Sequence, residues 1–133
     1  MRKRLMSMAL VFSTLIASGA PVYAGWDTDY KNTKYGRLEA DLSCHMGWES
    51  TGGIATTTIG EEVYKVVSKV ELQNNDNGKR LDSDTNIERH SKKSVAEAET
   101  RTRDYEIVTF GTHEVRDDRS YAVYTKTSDS VVI

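Results

Sequence analysis

The most constraining feature of this sequence is a strict alternation of apolar and polar residues between Leu38 and Trp48. Every second position is apolar, and the set is Leu38, Ala40, Leu42, Cys44, Met46 and Trp48. A period of two is typical of a strand that buries one face and exposes the other, whereas a helix would scatter these residues around its axis. The segment therefore predicts one long, half-buried β-strand.

Similar patterns continue along the chain, with turn-forming residues between them. We expect strands at 54–59, 63–73, 105–115 and 121–127, a weaker one at 94–104 and a short closing one at 130–133. Segment 83–93 is expected to be a long loop or a weak edge strand. Segment 94–104 opens with a match to a helix capping box, so a helix is the alternative there, although the β-rich surroundings favour a strand.

Turn signals fix where the predicted strands reverse. Residues 49–53 form a cluster of turn formers, and Asn77-Gly78 is a hairpin signal because this pair tolerates positive φ angles. Gly111 interrupts a strand and indicates a bulge or a close backbone approach. The spacing predicts a single all-β domain, an antiparallel sandwich or barrel of about six or seven strands.

The N-terminus has the pattern of a secretory signal peptide. Three basic residues at 2–4 precede an apolar run at 5–17 and a small-residue stretch that ends at Ala24. The run is shorter than the roughly 20 residues that span a bilayer. We therefore predict cleavage after Ala24, with a signal peptide at 1–24, a polar leader at 25–34 and the β domain at 35–133. The protein is then secreted, or held in the periplasm or cell envelope, without stable membrane insertion.

The charge of the exported chain argues against nucleic acid as a partner. Without the three basic residues at 2–4, 15 of the 18 lysines and arginines remain beside all 20 acids, so the formal charge becomes about −5. An acidic surface repels a phosphate backbone, and no basic stripe offsets it.

Cys44 is the single cysteine of the chain, so no internal disulfide can form. It lies on the apolar side of the alternating segment, which predicts a small buried hydrophobe rather than a reactive thiol. An intermolecular disulfide is the alternative for an odd cysteine outside the cell.

No catalytic, cofactor or metal motif is recognisable. The three histidines, His45, His90 and His113, show no metal-ligand spacing. Asp41, Ser43 and His45 alternate on one strand face, but their side chains would stand parallel, so they are expected to form a solvated face rather than a triad. Four acidic positions are likewise expected to be solvated charges: Glu61-Glu62, Glu97, Glu99 and Asp117-Asp118. The sequence predicts a protein that is not an enzyme and has no cofactor.

The chain looks like many small exported bacterial β proteins, through its signal segment and the stretches 55–60 and 110–115, which are not specific to one family. Three functions fit this pattern. The first is a non-enzymatic binding module for an unknown protein or cell-envelope component, with Trp26, Tyr30 and Tyr35 as partner contacts. The alternatives are a bacteriocin-like or toxin-like effector, and a small hydrolase whose site is assembled from distant residues.

Overall fold

The structure is a computed structural model that describes residues 23–131, with side-chain environments for residues 25–128. The predicted signal peptide lies outside this range except for its last two residues. Residues 132–133 of the predicted closing strand also lie outside it.

The described chain is all-β and antiparallel, as the alternation predicts, and residues 23–131 contain no helix. The helix alternative for 94–104 is therefore excluded. Residues 23–131 form six strands: β1 Tyr23–Thr33, β2 Gly36–Met46, β3 Ser50–Asn74, β4 Arg80–Arg101, β5 Ile107–Arg116 and β6 Ala122–Val131.

Strands β3 and β4 form a long hairpin that takes part in both sides of the molecule. The sheet order is β1-β2-β3-β5-β6, and β4 pairs with the other edge of β3. Residues 51–58 of β3 lie between β2 and β4, whereas residues 65–73 lie between β4 and β5. A register shift between Thr58 and Val63 separates the two halves and bends the hairpin. The sheet therefore folds over on itself and is nearly closed into a barrel.

Side chains join the free edges where the barrel closes. At the terminal seam, which we define as the approach of β1 to β6, Asp27 Oδ2 accepts a bond from the Ser128 amide at 3.0 Å and the Asp29 carboxylate accepts one from the Thr125 hydroxyl. Among the described residues, no backbone ladder joins these two strands. Two carboxylates of β1, placed two residues apart, thus accept hydrogen bonds from donors on the facing edge of β6.

The two halves of β4 meet at a second seam, the β4 seam. Here Asp84 Oδ2 accepts a bond from the Glu97 amide at 3.2 Å, and Asp82 Oδ2 accepts one from the Glu99 amide at 2.9 Å. The strand folds back near His90, whose φ of 51° lies in the left-handed region. Both seams therefore use aspartates at alternating positions.

The interior contains two apolar clusters. One comprises Leu42, Cys44, Ala55, Val70, Leu72, Ala96, Ala98 and Ile107. The other comprises Leu38, Ala40, Ile59, Val63, Val66 and Val115. Four of the six apolar positions of the alternating segment, Leu38, Ala40, Leu42 and Cys44, are at most 1% exposed, which confirms the predicted buried face and the buried thiol.

Trp48 is an error in that prediction, because its side chain is 73% exposed. Strand β2 ends at Met46, and the Gly47 amide donates to the Ser50 carbonyl at 2.9 Å across a tight turn. The turn is therefore earlier than the predicted 49–53 connection. Gly53 lies inside β3, where a Cβ would come within 3.3 Å of the Val70 side chain.

Two polar segments are strands where the sequence did not predict them firmly. Most of the predicted leader at 25–34 is strand β1, whose polar residues bond across the terminal seam instead of joining an apolar face. Segment 83–93 is part of β4 and pairs with β3 along its length. The predicted strands at 54–59 and 63–73 are two halves of β3. The Asn77-Gly78 hairpin is confirmed, with Gly78 at φ 74°.

Candidate functional site

Two of the three predicted partner contacts are exposed on strand β1. Trp26 is 78% exposed and Tyr30 is 49% exposed, and they lie four residues apart on the same face of the strand. The Arg37 guanidinium lies 4.4 Å from the centre of the Tyr30 ring. We call Trp26 and Tyr30 the aromatic strip. The exposed Trp48 follows the end of β2 that pairs with the start of β1, since Tyr23 faces Met46 in the register. Trp26 lies closer to this end than Tyr30 does.

Tyr35, the third predicted contact, is half-buried and packs against the second apolar cluster. Its hydroxyl donates to Asp117 Oδ2 at 3.1 Å. Its ring meets that of Tyr121 edge to face, with the centroids 5.8 Å apart. The structure therefore separates Tyr35 from the aromatic strip and gives it a packing role.

Asp117 organises the turn between β5 and β6. Its Oδ1 accepts bonds from the amides of Arg119 at 2.9 Å and Tyr121 at 3.1 Å, and its Oδ2 lies 3.1 Å from the Lys34 ammonium. The hydrogen bond from the Arg119 amide lowers the pKa of Asp117 to about 2, and hydrogen bonds from Lys34, Tyr121 and Tyr35 act in the same direction. Asp117 is 8% exposed, so the prediction of a solvated charge is wrong at this position.

A small acidic pocket of about 210 Å³ lies beside Asp117. Its lining includes Glu62, Asp118 and His90, and the His90 ring contacts Tyr64 edge to face at 5.7 Å. Residues 23–131 contain no group of three or more histidine, cysteine or acidic side chains that could hold a metal ion. The pocket therefore offers acidic surface without a metal-binding geometry.

A larger groove of about 520 Å³ crosses the outer face of β3, β5 and β6. The register places Lys69, Thr112 and Lys126 in one row across the three strands. The next row contains Glu71, Phe110 and Ser128, with Gln73 beyond Glu71 on β3. Phe110 is 40% exposed. We call this set the lysine groove.

A chain of hydrogen bonds crosses the interior between the apolar clusters. His113 lies between Thr127 Oγ1, 2.8 Å from its Nε2, and Thr57 Oγ1, 2.9 Å from its Nδ1. Thr57 is 2.7 Å from Ser68 Oγ, which donates to the Ser94 carbonyl at 2.8 Å. We call this set the histidine chain.

Thr57 has a further partner, because its hydroxyl also donates to the Val67 carbonyl at 3.2 Å. The single proton of Ser68 goes to the Ser94 carbonyl. Burial lowers the pKa of His113 to about 4, which favours the neutral imidazole.

The histidine chain joins a hydroxyl to an imidazole, as nucleophilic catalysis requires, but solvent does not reach it. His113 and Ser68 are both 0% exposed. A nucleophile and its base need an accessible site where a substrate atom could lie. Gly111 makes the close packing possible, since a Cβ there would lie 2.9 Å from Nε2 of His113. This confirms the predicted close approach at Gly111, and the pairing continues through it without a bulge.

The strand face with Asp41, Ser43 and His45 is only partly solvated. Ser43 is exposed and Asp41 accepts a bond from the Thr28 hydroxyl at 2.9 Å, whereas His45 is 4% exposed. Burial lowers the pKa of His45 to about 4. Glu97, also predicted to be solvated, is 1% exposed. Alternation separates the two faces of a strand, and it does not report how deeply the polar face is covered.

Comparison of the chain with protein-family models, with curated proteins and with solved structures finds no match. Among the described residues, no helix is long and apolar enough to cross a bilayer.

Sequence reasoning missed the lysine groove and the histidine chain. Lys69 and Phe110 are far apart along the chain, and only the pairing of β3 with β5 makes them neighbours. The signal for Asp117 was present, since an aspartate in a turn readily accepts bonds from amides that follow it. His113 had no such signal, because its two hydroxyl partners, Thr57 and Thr127, come from two other strands that are distant in sequence.

Proposed function

We propose that this protein is a secreted, non-enzymatic binding module that contacts its partner through the aromatic strip. The observation that supports the proposal is the 78% exposure of Trp26 beside the half-exposed Tyr30 on one face of β1. Large aromatic side chains supply much of the binding energy at protein interfaces, and they do so from exposed positions in the unbound protein.

The surroundings of the strip suit a contact surface. Arg37 lies over Tyr30, and Glu39 faces Tyr30 in the register, so charged groups border the ring. Aromatic anchors with a polar rim are typical of specific interfaces. The partner would be a protein or another component of the cell envelope, and the acidic charge argues against nucleic acid.

The two alternatives have less support. A hydrolase would need an accessible nucleophile and base, whereas Ser68 and His113 are sealed in the interior. A membrane-active effector is generally basic and amphipathic, whereas this chain is acidic.

Binding of the exported protein to envelope fractions of the producing cells tests the proposal. N-terminal sequencing of the same material tests cleavage after Ala24. We expect saturable binding that the double variant Trp26→Ala and Tyr30→Ala weakens by about tenfold or more, because hot-spot aromatics dominate binding energy. Asn32→Ala is the matched control, since Asn32 is exposed on the same face of β1. Equal binding by the double variant and the wild type would overturn the role of the strip.

A further inference from the structure

The lysine groove combines two unpaired cations with an exposed aromatic ring. Among the described residues, Lys69 and Lys126 form no ion pair, whereas Lys34 pairs with Asp117 and Lys31 donates to the Tyr124 carbonyl at 2.6 Å. Both groove lysines are exposed. Two solvated ammonium groups on a concave surface attract a ligand that carries negative charge.

The register sets the spacing of these groups. Lys69 and Lys126 face each other across Thr112, so their backbones are two strand spacings, or about 10 Å, apart. Phe110 lies one row along β5 from Thr112, on the same face. A ligand that reaches both ammonium groups therefore passes over the Thr112 hydroxyl and alongside the Phe110 ring.

The remaining lining indicates a ligand rich in hydroxyl groups. Thr112, Ser128 and Gln73 place hydroxyl and amide groups along the groove. Gln73 donates to the Glu71 carboxylate, which holds that acid beside its own strand. The volume of about 520 Å³ is in the range of small-molecule sites, which combine an apolar platform with a few polar groups.

We infer that the lysine groove binds an acidic saccharide, with Lys69 and Lys126 on its anionic groups and Phe110 against a C–H face of a sugar ring. The negative face of an aromatic ring attracts polarised C–H groups and repels anions, which assigns the two kinds of contact to different side chains. A polyanion of high charge density, such as nucleic acid, would meet the acidic surface outside the groove.

This inference goes beyond the proposed function, since the groove lies on β3, β5 and β6 and the aromatic strip lies on β1. Experiments can therefore refute one proposal without refuting the other. Substitutions at Trp26 and Tyr30 should leave saccharide binding unchanged, and substitutions at Lys69 and Lys126 should leave envelope binding through the strip unchanged.

Calorimetric titration of the exported protein tests the inference. The probes are a tetragalacturonate, whose anions are carboxylates, a heparin-derived tetrasaccharide, whose anions are mostly sulfates, and a neutral galactan tetrasaccharide. We expect saturable binding of at least one acidic probe and none of the neutral one. The acidic probe that binds identifies the source of the negative charge.

Variants then locate the site. Lys69→Gln with Lys126→Gln should weaken binding of the acidic probe by about tenfold or more, because it removes both attractive charges. Phe110→Ala should weaken it by about threefold to tenfold through loss of the ring contact. Lys92→Gln with Lys93→Gln is the matched control, as it removes the same charge from two exposed positions on β4 and should change affinity less than about twofold.

Three results would overturn the inference. They are absence of saturable binding to both acidic probes, equal loss of affinity in the Lys92 and Lys93 control, and tighter binding of an oligothymidylate of equal charge than of either saccharide. Circular dichroism of each variant confirms that a loss of binding does not come from unfolding.

Discussion

The two seams of the barrel are closed by similar chemistry between parts of the chain that differ greatly in sequence separation. At the β4 seam, Asp82 and Asp84 accept hydrogen bonds from backbone amides that lie 17 and 13 positions further along the same strand. At the terminal seam, Asp27 and Asp29 bond to residues 101 and 96 positions away. In a chain with no other contacts, closing the longer loop costs about 1.5 kcal/mol more.

Neighbouring strands also hold the β4 seam more firmly than the terminal seam. Both halves of β4 pair with β3, so the β4 seam lies within the long hairpin. Strand β1 pairs only with β2 and β6 only with β5, so either strand can detach without disturbing the hairpin. Aspartate hydrogen bonds therefore join strand edges that β3 also holds at the β4 seam, and strand edges that lack such a common neighbour at the terminal seam.

The histidine chain connects the two seams through the interior. Thr127 is on β6 at the terminal seam, and Ser94 is on β4, where its hydroxyl donates to the Asn86 carbonyl at 2.8 Å. Between them stands His113. Breaking the chain should therefore affect both seams together, whereas breaking one set of aspartates should affect one seam.

The largest effect is expected for His113→Ala. The substitution leaves a cavity and removes the imidazole that bonds to the buried Thr127 and Thr57 hydroxyls, of which Thr57 keeps Ser68, so the free energy of unfolding should fall by about 3–5 kcal/mol. Urea denaturation measures this change, and hydrogen exchange should show lost protection at both seams. Thr112→Ala, next in sequence and outward-facing, is the control and should change stability by less than about 1 kcal/mol. A loss confined to one seam would contradict the connecting role of the chain.

Acidification should weaken the interior before it weakens the turn between β5 and β6. The pKa of His113 and of His45 is lowered to about 4, whereas both titrate near 6.5 when unfolded. Between about pH 6.5 and 4 the unfolded state therefore binds more protons, and stability should fall by about 3 kcal/mol for each histidine at the lower limit.

Asp117 follows at lower pH. The pKa of Asp117 is held at about 2, so its contribution is complete above about pH 4 and is lost as the pH falls towards 2. Denaturant midpoints at pH 7, 5.5 and 4.5, with histidine proton signals followed by NMR, measure the first phase. Constant stability from pH 7 to 4.5, or histidines that titrate near 6.5 in the folded protein, would refute it.

The smallest effect is expected for substitutions of the seam aspartates, which compare the two seams directly. Asp27→Ala with Asp29→Ala should lower the hydrogen-exchange protection of β1 and β6 by about tenfold, because the facing donors lose a charged acceptor. Asp82→Ala with Asp84→Ala removes equivalent bonds and should lower protection in β4 by only about threefold, since β3 still holds both halves. Equal losses in the two double variants would show that sequence separation and flanking pairing do not matter here.

The sequence predicted the β class, the hairpin at Gly78 and the buried face of β2 because these depend on local alternation and turn chemistry. It did not predict β1 or the first half of β4 as firm strands, since their half-buried positions hold aspartates instead of apolar residues. Those aspartates are satisfied by amides and hydroxyls from distant strands, and no local pattern encodes such partners.

The candidate sites also differ in how far they depend on tertiary contacts. Trp26 and Tyr30 could be chosen from the sequence because exposure on a polar strand needs no tertiary partner. The half-buried environment of Tyr35 could not be read from the sequence, since it depends on Asp117 and Tyr121, more than 80 residues away. The lysine groove and the histidine chain depend on the register between β3, β5 and β6, which alternation alone does not determine.

The separation of 101 residues between Asp27 and Ser128 also sets a time on the ribosome. At roughly 5–20 residues per second, about 5–20 s pass between synthesis of the first partner and synthesis of the second. During that interval β1 and β2 can pair, but the terminal seam cannot form. The terminal seam therefore closes after β1 and β2 have already been synthesised, and β1 stays without its β6 partner during that interval.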